Sequence, residues 1–134
     1  MDLQQINRRV IAQFRAGGEI EGMHRERLLL LTTRGARTGS ERTTPMMFHQ
    51  DGDRVVVMAS NAGARKPPDW YANLTATPSV TVETGDESYP ATATVLAGEE
   101  RARLWTEITA LYPFFLDHEK KAEREIPLVA LTHA

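Results

Sequence analysis

A chain of 134 residues with 41% hydrophobic side chains is expected to form one domain, and it can bury roughly two thirds of its unfolded surface without a disulfide or metal staple. It contains no cysteine, which excludes disulfides, thiolate metal sites and cysteine nucleophiles. The net charge of −2 hides a division: residues 1–66 carry 11 basic and 7 acidic side chains, residues 67–134 carry 5 and 11, so the first half is suited to meet an anionic ligand. The basic residues are not interleaved with aromatics, so nucleic-acid binding is not expected. No window approaches the roughly 18 apolar residues of a membrane span, and nothing near the N-terminus reads as a secretion signal. A cytoplasmic location is the expectation.

Leu3, Ile6, Val10, Ile11 and Phe14 recur at helical spacing and Gly17-Gly18 stops them, which predicts an amphipathic helix over about residues 2–16. Its polar face carries Arg8, Arg9 and Arg15. It reads as a helix lying across the domain; the alternative is a basic helix that covers a ligand or touches anionic lipid on the cytoplasmic membrane face. Strands are predicted at 27–33, 43–50, 53–60, 79–84, 87–97 and 127–132. "HQDGDR" is a tight hairpin, because Asp-Gly supplies the positive φ of primed turns, and "ETGDES" is another. Pro68 suits a first helical turn and Pro78 forbids extension, so a short helix should span about 68–75. A longer helix follows at about 98–111, with Leu104, Ile108 and Leu111 on one stripe. Pro113 breaks it, and "FFLDHEKKAERE" is a second helical piece. The pattern is mainly β with flanking helices (α+β). Its six strands form a largely antiparallel sheet, which closure into a small barrel would free of edges.

Standard catalytic motifs are missing. There is no G-x-S-x-G elbow, no P-loop and no G-x-G-x-x-G. His24, His49, His118 and His133 lack metal-ligand spacing. If the chain is an enzyme, a cofactor carries the reaction. Two segments read as anion-binding loops. In "TRGARTGSER" glycines let backbone N–H groups converge as a nest, and Arg37 and Arg42 can add bidentate hydrogen bonds to phosphate; a mobile hairpin with solvated arginines is the alternative. In "ASNAGARKPPDWYANL" a strand end, small residues and a helix start make a second anion site, with Trp70 as core and Asn73 as a cap or loop tie.

Three separated stretches, "LLLLTTRGARTGSERTTPMMF", "DGDRVVVMASNAGARKPPDWYANLTATPSVTVE" and "GEERARLWTEITALYPFFLDHEKKAEREIPLVALT", resemble the deazaflavin-dependent nitroreductase and quinone reductase family. These are actinobacterial oxidoreductases that use coenzyme F420. The resemblance covers residues 28–132. It implies a six-stranded antiparallel split β-barrel akin to flavin-nucleotide-binding barrels. It also implies hydride transfer from reduced coenzyme F420 to a small electron-poor acceptor such as a quinone or nitroaromatic. Residue by residue, Arg37, Thr38 and Arg42 match the loop that holds the coenzyme's phosphate and glutamyl tail. Thr44, Pro45, Met46 and Met47 match the strand against the deazaflavin ring. Met58, Ser60, Asn61, Ala62 and Gly63 match the loop over ring and phosphate, and Pro68, Trp70 and Asn73 match the segment that closes the pocket. Tyr112, Ser60 and His118 are the candidates to hydrogen-bond the acceptor.

The chain also departs from the family. Many members have adjacent basic residues where this one has Ala36-Arg37, and lysine where it has Asn61; Arg34, Arg65 or Lys66 could compensate. Nitroimidazole-activating members surround the substrate with tyrosines after the Tyr112 position, where this chain has Phe115 and His118. A quinone-like acceptor is therefore the expectation, rather than a nitroimidazole. The rival readings are an FMN-dependent reductase on the same barrel and a non-catalytic coenzyme carrier.

Overall fold

The computed structural model describes residues 2–20, 23–85 and 87–134. Helix α1 spans Leu3–Ala16. The Asp2 carboxylate accepts the Gln5 N–H at 2.8 Å and the Gln5 side chain accepts the Asp2 N–H at 3.1 Å, so two otherwise orphaned donors are satisfied reciprocally. Gly17 ends the helix at φ 82°, a left-handed conformation that costs glycine nothing. Strands β1 (Leu28–Arg34), β2 (Glu41–Asp51) and β3 (Arg54–Met58) follow, then α2 (Asp69–Ala76), β4 (Ser79–Thr84), β5 (Glu87–Val95), α3 (Gly98–Leu111), α4 (Phe114–Ala122) and β6 (Leu128–His133). The strands close a barrel in the order β1-β2-β3-β6-β5-β4, with each neighbouring pair antiparallel.

The hydrophobic pattern explains the layering. Leu29, Leu31, Val55, Val57, Val80, Val82, Val129 and Leu131 fill the interior together with Trp70 and Leu74 from α2. These barrel residues alternate along their strands, since successive side chains take opposite faces. On the outer face, Leu28 and Leu30 pack under Val10 and Phe14 of α1. Val56, Leu128 and Ala130 pack under Leu104 and Ile108 of α3 and Phe115 of α4. β1, β3 and β6 are thus buried on both faces and read as unbroken apolar runs. β4 and β5 keep a solvated outer face and read as alternating.

The hairpin at Gly52 is a two-residue turn in which glycine alone takes positive φ (63°), as a type II′ turn requires. The "ETGDES" turn joins β4 to β5 through the pair Thr84–Glu87; its Asp86 lies outside the described residues. Most boundaries shift by one or two residues from the sequence expectation, and two of the shifts have a local cause. β3 ends at Met58, because Asn61, Ala62 and Gly63 take φ of 48°, 54° and 83° in a tight turn. Pro68 is the residue before α2 rather than its first turn, with ψ at 157°, and Asp69 begins the helix. Among the described residues, no helix is long and apolar enough to cross a membrane.

Candidate functional site: a two-part cleft under the first helix

Two adjoining cavities of about 690 and 550 Å³ run along β2 beneath the N-terminal half of α1. Asn7, Thr44, Lys66, Asp69 and Trp70 border both. The first is polar and holds Arg8, Arg37, Arg42 and Lys66. The second is largely apolar, lined by Leu3, Pro45, Met46, Met47, Met58, Phe114 and Phe115. α1 is pinned by its C-terminal half, through Val10, Phe14 and a bidentate Arg15–Glu83 pair. Its first two turns therefore overhang the cleft, so the helix lies across the domain with Leu3, Asn7 and Arg8 on the cleft wall.

The cations sort by position. Arg54 and Arg103 pair with Asp51, Arg65 with Glu123, and Arg101 with Glu119 and Glu125. Arg8, Arg37, Arg42 and Lys66 make no ion pair and no side-chain hydrogen bond among the described residues. Four unneutralised cations against one carboxylate, Asp69, leave this half of the cleft positive. Of the expected compensators only Lys66 is in the cleft. Arg34 donates instead to the Gly39 carbonyl at 3.2 Å and braces its own hairpin. Arg65 faces solvent on Glu123.

The loop between β1 and β2 is partly bonded to itself. The Gly35 N–H donates to the Ser40 carbonyl (2.7 Å), Gly39 N–H to the Gly35 carbonyl (2.8 Å) and Ser40 N–H to the Thr38 hydroxyl (3.3 Å). The Ala36 N–H donates to the Asn73 side-chain oxygen at 3.0 Å. These bonds tie down the two ends of the loop, while the N–H groups of Arg37 and Thr38 at its tip beside the cleft have no partner among the described residues. Asn73, buried in α2, also donates to the buried Thr33 hydroxyl at 3.2 Å. It is the loop tie, and it sets the height of the arginine loop above the cleft. Asn73→Ala is expected to cost about 1–2 kcal/mol, because a buried hydroxyl loses its donor. Thermal unfolding checks this; a midpoint equal to wild type would mean the tie carries no weight.

The opposite wall is the loop from Ala59 to Pro68. Ser60 is buried, and with Asn61, Ala62 and Pro68 it lines the apolar half. Gly63 is buried against α4, where an added Cβ would lie 3.3 Å from both the Cα and the carbonyl oxygen of His118. Trp70 is both core and cleft wall. His118, in a charged helical run, is half-buried, lines the cleft and packs edge-on against Phe114 and Phe115. Its Nδ1 is buried without a hydrogen-bond partner. Tyr112 is not brought to the cleft. It packs on Phe114 and Phe115 with the Arg27 guanidinium 5.8 Å from its ring, because Pro113 turns the chain between it and α4. Sequence reasoning missed Asn7, Phe114 and Arg124. The last donates to loop carbonyls from beyond α4, and nothing in its local pattern distinguishes it from the solvated charges around it.

A closed antiparallel barrel carries a cleft that is cationic at one end and lined by methionine, proline and aromatic side chains at the other, suited to a ligand with an anionic part and an apolar part. The donor set fits such a group, since unpaired arginines await a phosphate or carboxylate. Residues 5–133 match the F420H(2)-dependent quinone reductase family model, and the chain belongs to that family. An F420H(2)-dependent quinone reductase of Mycobacterium tuberculosis (strain ATCC 25618 / H37Rv) is 35% identical over 107 residues, 78% of this chain and 72% of the relative. The solved structure of an F420-H2 dependent reductase superposes with TM-score 0.72 at 35% identity, covering 82% of this chain and 99% of its own. A second structure, a domain-swapped dimer, gives TM-score 0.75 at 33% identity over 92% and 95% of the two chains. The chain is accordingly an oxidoreductase of the type that moves a hydride from reduced coenzyme F420 to a quinone-type acceptor.

Proposed function

We propose that the cationic half holds the anionic tail of coenzyme F420 through Arg37, Arg42, Lys66 and Thr38, with Arg8 reaching down from α1. The observation that carries this reading is the set of unpaired cations continuous with an apolar slot. Thr44, Pro45, Met46, Met47, Met58 and the 60–63 loop then flank the ring, with Trp70 and Pro68 as the side wall and Asn73 positioning the arginine loop. When bound, the reduced deazaflavin supplies a hydride from carbon, which favours two-electron chemistry.

The chain's own residues do the rest. Methionine, proline and phenylalanine side chains exclude water and strengthen every polar contact left in the slot. His118 borders the acceptor side. An orphaned N–H is costlier to bury than an orphaned lone pair, so the tautomer with its proton on Nε2 is favoured, and Nε2–H is the donor for an acceptor oxygen gaining negative charge. Ser60 is the second polar group there. Tyr112 has no part in this arrangement from its present position.

Mixing the pure protein with reduced coenzyme F420 and a panel of quinones and nitroaromatics tests the reading, with FMN as the competing cofactor. Turnover of quinones with F420 alone is expected; turnover with FMN, or tight coenzyme binding without turnover, would sink it. His118→Phe keeps the ring packing and removes both nitrogens. It should lower kcat about tenfold, the worth of one hydrogen bond to developing charge, while coenzyme affinity stays at wild type.

A further inference from the structure

The carbonyls of the loop after β3 converge on one guanidinium. Arg124 Nη2 donates to the carbonyl oxygens of Ala59 (3.3 Å) and Ser60 (3.1 Å), with that of Lys66 at 3.5 Å, and Nε donates to that of Ala64 (3.1 Å). No carboxylate pairs with it among the described residues. Arg124 follows Glu123, whose φ of 56° ends α4 in the left-handed conformation and turns the chain back across the loop. The Glu119 carboxylate fixes the segment beyond, accepting the Ile126 N–H at 3.2 Å and pairing with Arg101 at 3.3 Å.

This arrangement dictates where the loop amides point. In a trans peptide the C=O of one residue and the N–H of the next face opposite ways, and no described peptide is cis. With the Ala59 and Ser60 carbonyls drawn onto Arg124, the N–H groups of Ser60 and Asn61 are turned away from it. Neither has a backbone partner among the described residues. Ser60 and Asn61 line the cleft; Arg124 does not. The loop also holds three successive residues at positive φ, two of them not glycine, a conformation that needs outside support.

We propose that Arg124 is a positioning residue. Its planar fork holds the loop so that the Ser60 and Asn61 amides stand in the cleft as a fixed pair of donors for an electron-rich atom of the bound ring system. Donors set in advance need no reorganisation when the ring arrives. Lysine replaces it poorly, because one flexible ammonium cannot hold the Ala59 and Ser60 carbonyls in the place of Nη2 and the Ala64 carbonyl in the place of Nε together. The inference rests on the cleft being the coenzyme site.

The test compares wild type with Arg124→Lys and Arg124→Gly, and with Arg103→Gln, which removes an exposed guanidinium far from the loop. Amide hydrogen exchange is read on the free chain and with coenzyme F420, alongside coenzyme affinity by fluorescence titration. In wild type the coenzyme should slow exchange at Ser60 and Asn61. Arg124→Lys should speed exchange of residues 59–66 in the free chain, leave β3 and β6 unchanged, and weaken coenzyme binding about tenfold. Arg103→Gln should do neither. Millimolar guanidinium should restore affinity to Arg124→Gly, and an equal concentration of sodium chloride should not. A loop that loosens while coenzyme affinity holds, coenzyme binding that leaves the Ser60 and Asn61 amides unprotected, or failed rescue overturns the proposal. A wild-type chain that binds no coenzyme instead counts against the functional reading. Exchange in the free chain is independent of that outcome: an undisturbed 59–66 loop in Arg124→Lys overturns the positioning role by itself.

Discussion

Replacing Arg37 and Arg42 together by alanine is expected to weaken coenzyme F420 binding by roughly a hundredfold, since each removes a charge-assisted hydrogen bond at the lower end of its usual worth, about 1.5 kcal/mol apiece. The lower end applies because both side chains are exposed in the free chain, so part of their attraction is screened. The double variant Arg34→Ala/Arg65→Ala is the control. It changes the net charge equally, yet Arg34 is committed to the Gly39 carbonyl and Arg65 to Glu123, so affinity should stay at wild type. An equal loss in both double variants would mean that the overall field, and not this cleft, gathers the anion. Salt gives a second readout. Exposed charges are screened over ~10 Å at 0.1 M ionic strength, so added salt should weaken wild-type binding and narrow its gap to the Arg37→Ala/Arg42→Ala variant.

Gly63→Ala is expected to destabilise the fold by roughly 2–3 kcal/mol, combining left-handed strain with overpacking. Gly63 sits at φ 83°, and a Cβ there meets Lys121 Cδ at 3.1 Å and the His118 Cα and carbonyl oxygen at 3.3 Å. The lysine can swing aside; the backbone of α4 cannot, short of shifting the helix. The thermal midpoint should fall by about 5–10 °C for a domain of this size. Quinone turnover well below that midpoint should fall too, because the same shift moves His118 and Phe115 at the cleft wall. Ala62→Gly, one residue earlier at φ 54°, is the counter-test. It relieves left-handed strain but loosens the unfolded chain, so stability should change by less than about 1 kcal/mol. Calorimetry of both variants separates close packing from simple backbone preference; two equal losses would show that α4 does not press on Gly63.

The cationic half of the cleft was legible because its signals are local. "TRGARTGSER" joins a strand end to charged residues within ten positions, so Arg37 and Arg42 announce themselves. The acceptor side was harder. Tyr112 and His118 lie six positions apart across the proline that breaks the helix, and side-chain type alone cannot say which of them faces a cleft. The turn at Pro113 decided it, laying α4 along the 60–63 loop and leaving Tyr112 behind on Arg27. The hairpin glycines say less for a related reason. They announce that the backbone turns sharply, but not whether the freed N–H groups meet a ligand or one another.

The amino-acid order alone determined the elements and the barrel. Unbroken apolar runs in β1, β3 and β6 demand cover on both faces, alternating runs in β4 and β5 demand it on one, and Asp-Gly and proline mark where each segment must stop. These are short-range effects of steric preference and hydrophobic period, and they survive without knowledge of neighbours. The tertiary structure alone decided which cations are free. Arg65 and Lys66 are adjacent in sequence, yet one faces solvent on Glu123 and the other faces the cleft. Arg124 meets the loop after β3 only because β6 returns beside β3. Charge neutralisation and amide orientation depend on partners dozens of residues away, so they exist only once the barrel has closed.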